Sequence, residues 1–327
     1  MAKSKSKNPL IIILVIAIIG IAAWFFFSKT VNNKAEEILQ QYLIENNLEG
    51  KLKWEELQAS PTGTANLKKV SFLDEQGEVL MTAEELNLLH YKEDENVLET
   101  DAEIKGLVEV KDLGLQSALI ELYKLVGVEN ANPALDMTWQ VSLDNTQQKS
   151  YMKSNVLLPQ LFVVETELMA DSPQKIRQLS REINSNFSTE EPSEEEVMKL
   201  LSGLNGIKLQ GFNIGVTEKG GVEKLREEFL ELDADLTSEQ QQEQLNSQIA
   251  DARQECINDA SLAAVLSNNQ ESVCNKVLDF MLGKSDTIKF KVALANPIAF
   301  EELMMMAMMG AGAEIFAESY GLTLDVE

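Results

Sequence analysis

The chain has 327 residues, with 28 Lys and Arg against 53 Asp and Glu, a net charge of −25 at pH 7. That excess opposes binding to nucleic acid or to an anionic lipid surface, because both are polyanions. One histidine and two cysteines exclude an ordinary zinc site, and 44% apolar content is normal for a globular chain with a substantial core.

The first element is an uncharged apolar run from Pro9 to Phe27, preceded by Lys3, Lys5 and Lys7. At about 1.5 Å per helical residue it reaches roughly 28 Å, close to the hydrocarbon thickness of a bilayer. A cleaved signal needs a shorter core and a small-x-small site, but here Ile21 precedes Ala22 and Ala23, and the run ends in Trp24-Phe25-Phe26-Phe27. The expectation is an uncleaved anchor. It has a basic cytoplasmic leader (1–8) and a transmembrane helix (9–28) held by Pro9, Trp24 and Phe27. The remaining chain lies beyond the membrane by the positive-inside rule. Without the leader lysines, that remainder carries 25 positive and 53 negative side chains, a net of −28.

Ala35, Ile38, Leu39, Tyr42 and Leu43 recur at helical spacing, so an amphipathic helix follows the span. Strand character runs through Leu52–Leu57, Leu67–Leu73, Val79–Leu89 and Val97–Val110, with turns at Pro61-Thr62-Gly63 and Glu75-Gln76-Gly77. A helix spans Leu115 to Val126. Leu135, Met137, Trp139, Val141 and Leu143 alternate with polar residues, the cleanest strand in the chain. Asp144-Asn145 turns it into two more strands, Tyr151–Leu158 and Phe162–Met169. A helix at Pro173–Ile183 leads to an acidic loop, 184–196. The next strand slips phase between Leu209 and Phe212, which predicts a bulge at Gly211. Helices dominate from Val222 to Leu282. A strand at Ile288–Leu294, a helix at Phe300–Phe316 and a strand at Leu322–Val326 close the chain. The predicted fold is α+β: an N-terminal transmembrane helix, then a long, mostly antiparallel sheet with packed helices. The acidic loop divides the exported part into an α+β sub-domain (29–186) and a helix-rich α+β sub-domain (197–327).

Cys256 shares a helical face with Leu245, Ile249 and Ala252, and Cys274 shares one with Val277, Leu278 and Met281. Two antiparallel helices would bring both sulfurs to one buried seam. In an oxidising compartment they should form a disulfide contributing roughly 3 kcal/mol; the competing reading is two free buried thiols.

Signals of catalysis are nearly absent. His90 is the only histidine and reads as a surface residue beside Tyr91 and Glu93-Asp94-Glu95. Asp233-Ala-Asp235 fails as a calcium loop because Ser238 stands where glycine is required, and Asp101-Ala-Glu103 fails because Lys105 takes a ligand position. Five of the twelve methionines fall at Met304, Met305, Met306, Met308 and Met309. The surrounding Phe300, Leu303, Ala307 and Ile315 favour core or an adaptable hydrophobic surface over Cu(I) ligation. No catalytic residue, metal or cofactor is expected.

The chain resembles the YdgA-like and AsmA-like envelope proteins. The resemblance rests on the basic leader and span, Lys3 to Phe27, and on an early pair of segments. These are Asn66-Leu67-Lys68-Lys69-Val70-Ser71-Phe72-Leu73-Asp74 and Leu80-Met81-Thr82-Ala83-Glu84-Glu85-Leu86-Asn87-Leu88. The late part, Ile207 to Val326, is similar to the closing region of YdgA-like chains. The resemblance implies an inner-membrane protein with a periplasmic domain, a curved antiparallel sheet, and a role in outer-membrane homeostasis and phospholipid movement through an apolar groove. This chain is too short to bridge an envelope alone, so local lipid binding or scaffolding fits better.

The expected function is therefore non-enzymatic envelope maintenance. An acyl chain or a partner segment would lie against Met137, Trp139, Val141 and the Met304, Met305, Met308 cluster, for all of which ordinary core is the competing reading. The alternative is an acidic periplasmic adaptor that positions other membrane proteins. No nucleic-acid partner is expected.

Overall fold

A computed structural model describes residues 50–59, 64–74, 76–111, 115–128, 133–185, 203–231, 236–259, 266, 269–308 and 319–327. The fold is α+β, a large antiparallel sheet with a few helices. The span and the first helix lie outside the described residues, as do most of the acidic loop and the turn at 61–63. Among the described residues, no helix is long and apolar enough to cross a membrane.

The chain divides into two compact units. The sequence places one boundary at the acidic stretch, but the units do not follow a single cut. The first takes 1–121, 132–154 and 172–205, and the second takes 122–131, 155–171 and 206–327. Strand pairing joins segments distant in the chain, so hairpins rather than composition decide membership. Helix α1 (Leu115–Leu125) and strand β7 (Lys149–Leu158) contribute residues to both units.

In the first unit, β3 (Ala65–Leu73), β4 (Val79–Glu93), β5 (Val97–Glu109) and β6 (Leu135–Asp144) pair in chain order. The segment read as one strand from Leu52 is two pieces, β1 (Leu52–Lys53) and β2 (Glu56–Ala59), which pair with opposite ends of β3. One face of these strands is apolar and buried: Leu67, Leu86, Ile104 and Leu143 are at most 1% exposed. The turn after β3 follows from Asp74, whose carboxylate accepts hydrogen bonds from the amides of Gln76 and Glu78. Asp144 does the same after β6, accepting from Thr146 and Gln147. Helix α2 (Pro173–Ser185) brings Ile176 against the buried pair Leu98 and Leu143, which Tyr91 and Val141 also cover.

Three of these strands shift phase at matching places. The buried set steps from Leu67 to Val70 across Lys69 (φ 51°), from Ala83 to Leu86, and from Ile104 to Leu107 across Gly106 (φ 63°). Without the extra residue in each strand, the second half of the apolar set would turn to the polar face. The Gly106 amide donates to Asp136 Oδ1 at 2.8 Å, and a Cβ on Gly106 would lie 2.6 Å from Glu84 Cγ.

In the second unit, β8 (Phe162–Ala170), β9 (Lys208–Glu218), β10 (Thr287–Ala299) and β11 (Leu322–Val326) pair in that order. The predicted bulge is present. Both neighbours of β9 shift register between Gly211 and Leu209, and Gly211 is held so close that a Cβ would meet the Val292 carbonyl oxygen at 2.5 Å. Helices α3 (Gly221–Glu231), α4 (Ser238–Asn258), α5 (Gln270–Met281) and α6 (Phe300–Met308) complete the unit. Tyr123, 3% exposed, donates its hydroxyl to the Pro159 carbonyl at 2.6 Å, and burial pushes its phenol pKa up.

The cysteines form the expected disulfide, with Cα atoms 6.0 Å apart. The buried seam is not found. Cys274 is fully buried but Cys256 is half-buried, and α4 has no buried residue at all. The Arg253–Glu271 ion pair, at 3.4 Å, also joins α4 to α5.

Candidate hydrophobic site

The sheet of the second unit has two chemically opposite faces. On β9 the odd positions are Gly211, Asn213, Gly215 and Thr217, and the even ones are Phe212, Ile214 and Val216. Register carries this across the unit. Gly215 pairs with Glu165 on β8 and Lys289 on β10, while Ile214 pairs with Thr166 and Phe290. Gly215 has no side chain, so Lys289 reaches over it to Glu165 Oε1 at 2.8 Å and to Glu167 Oε2 at 3.2 Å. The hydrogen bond to Glu165, with Glu167 beside it, raises the Lys289 pKa. Asn213 donates to Glu167 on the same face.

The other face is apolar and unevenly covered. Helix α3 begins where Glu218 accepts from the Gly220 and Val222 amides, a carboxylate placed at the helix N-terminus. Arg226 of α3 donates to the Leu282 carbonyl at 2.6 Å, joining α3 to the end of α5. Val222, Val273 and Phe280 from these helices pack with Ile288 and Val326, and all five are buried. Protection of the next cross-strand rows is uneven, Val292 being only 9% exposed. Phe212 is 40% exposed and Ile214 38%, although Phe212 is paired with Leu168 and Val292 and Ile214 with Phe290. Beyond them Ala170 and Ile298 are buried again, each at 1%. Two large apolar side chains thus stand open between two closed ends of one face. Such a strip offers area to an apolar group at about 25 cal/mol per Å² removed from water.

The residues singled out from sequence fall elsewhere. Met137 and Trp139 lie on the apolar face of β6 in the first unit, 4% and 6% exposed, and Val141 is half-buried beside them. Their face is not open to solvent at those residues. Met304, Met305 and Met308 lie on α6 of the second unit. Met305 is 55% exposed and the intervening Met306 is 8% exposed, while the Met304 and Met308 side chains are outside the described residues. The two groups therefore belong to different units. Pro9, Trp24 and Phe27 are also outside the described residues. His90 is exposed, as expected, with Nε2 3.8 Å from Glu99. Among the described residues, no group of His, Cys, Asp and Glu would suit a metal ion.

Phe212 and Ile214 appear in the sequence only as ordinary inward positions of a strand. Alternation marks which face is apolar, but whether a helix covers it depends on where α3 and α5 end. No family model matches the chain, and no curated protein matches it.

Proposed function

We propose that this chain is a membrane-tethered, non-enzymatic protein of a bacterial envelope, akin to the YdgA-like and AsmA-like proteins, whose sheet binds an apolar guest. The observation that carries the reading is the exposure of Phe212 and Ile214 on an otherwise covered apolar face. A water-exposed aromatic beside a half-exposed isoleucine gains from contact with an acyl chain or an apolar partner segment. The tether is Pro9–Phe27, and it holds the domain beside a reservoir of acyl chains. Met305, exposed on α6 of the same unit, adds an adaptable apolar side chain.

Native mass spectrometry of the purified domain tests this. Bound phospholipid or fatty acid is expected, with occupancy reduced several-fold by Phe212→Ser combined with Ile214→Ser. A ligand-free spectrum from protein extracted in mild detergent would count against lipid binding.

The net charge of −25 supports the second reading, an acidic adaptor for basic segments of other membrane proteins. In-cell crosslinking separates the two, since an adaptor yields a stoichiometric protein partner that high salt releases.

A further inference from the structure

We infer that α4 is a redox-released arm, held in place by the Cys256–Cys274 disulfide rather than by hydrophobic packing. Helices of globular proteins are ordinarily secured by a buried apolar stripe. Across its 21 residues α4 buries none, and Leu245, Ile249 and Cys256 are only half-buried. Its N-terminus is closed locally by a capping box between Thr237 and Gln240, which shapes the helix without docking it. Several ties to α5 lie near the C-terminus of α4. Besides the disulfide, they are the exposed Arg253–Glu271 pair and Gln270, whose Nε2 donates to the carbonyls of Cys256 and Asp259 at 2.7 Å. Exposed ion pairs contribute little. The covalent bond is the strong tie, and α5 keeps its own buried residues, Val273, Cys274 and Phe280, with or without it.

The two cysteines differ in exposure, Cys274 being fully buried and Cys256 half-buried, and this sets the direction of attack. A thiolate of a dithiol reductant attacks Sγ of half-buried Cys256. The S–S bond breaks, and fully buried Cys274 leaves as a thiolate and takes a proton. The reductant's second thiolate then attacks its own sulfur in the mixed disulfide. It becomes the cyclic disulfide of the oxidised reductant and releases Cys256, which is protonated in turn. The dithiol loses two electrons and two protons, and the cystine gains both. The freed α4, which has no buried residue of its own, then exchanges with an unwound, solvated segment while the sheet stays folded.

Hydrogen exchange on the full-length protein, oxidised and after dithiothreitol, is the test. Amides of 238–256 should exchange roughly a hundredfold faster after reduction, the factor a loop of this length supports. Amides of β10 and of Val273–Phe280 should keep their protection. Cys256→Ser without reductant should reproduce that pattern. This variant is preferred because Cys274→Ser would bury a hydroxyl at a fully buried site. Equal protection of α4 in both redox states would overturn the proposal. So would loss of protection across β10 and α5 in step with α4, since the disulfide would then be a staple of the whole unit. So would a Cys256→Ser protein whose α4 stays protected.

Discussion

Asp74 shows how a single side chain links the sequence to acid stability. It is 4% exposed, accepts two backbone amides, and binds Lys111 Nζ at 2.9 Å. The Lys111 hydrogen bond, helped by the amides, outweighs burial and holds the carboxyl below the usual aspartate range. A folded-state pKa below the unfolded one, near 3.9, means the stabilisation is present above that pH and is lost as pH falls through the folded value. Wild type should therefore be more stable than Asp74→Asn at pH 7, and the difference should shrink progressively as the pH falls below about 3.9. Denaturant melts across that range measure it; a gap that does not change with pH would sink the account. Gly106 is the backbone counterpart. Its positive φ and the 2.6 Å approach of Glu84 leave no room for a methyl group. Gly106→Ala should cost about 1–3 kcal/mol by chemical denaturation, and an unchanged midpoint would mean that the neighbouring glutamate simply swings away.

At the level of elements, β9 is where core and candidate site part company on one strand face. Val216 packs under α3 and α5, whereas Ile214 and Phe212, two and four positions back, are 38% and 40% exposed. The physical distinction is whether a side chain has already left water in the absence of a guest. Ile288→Ala, at a residue 3% exposed, should cost about 2–5 kcal/mol because it opens a cavity. Phe212→Ser should cost less than Ile288→Ala, since 40% of Phe212 is already exposed and no sealed cavity is left behind. Thermal or urea unfolding of the two variants decides the matter. A Phe212→Ser penalty as large as that of Ile288→Ala would place Phe212 in the core and remove the site.

For the whole molecule, the envelope reading depends on residues 9–27. Removal of residues 1–28 should convert a protein that stays with membranes through a carbonate wash into one recovered in the soluble fraction. A periplasm-active reporter fused after Glu327 should be active in the full chain and silent in the truncated one. A silent reporter on the full chain would place the acidic domain in the cytoplasm and end the envelope reading. The net charge keeps such a domain soluble at high local concentration and away from anionic headgroups, so any apolar guest must be reached by exposed side chains rather than by electrostatic attraction.

Much of the architecture was written in local pattern. Period-2 alternation located β6, β8 and β9, and the slip between Leu209 and Phe212 announced a bulge. These features are properties of neighbouring residues and of period, so the order of amino acids by itself determined them. Three things were decided only by tertiary structure. The units interleave along the chain because hydrogen bonding between strands joins segments irrespective of distance in sequence. Met137 and Trp139 are closed while Phe212 and Ile214 are open, although all four alternate in the same way. And α4, with an apolar stripe that promised a buried seam, buries nothing. Alternation tells which side of a strand or helix is apolar; it is silent on whether another element arrives to cover it, because that depends on contacts made by residues far away in the chain.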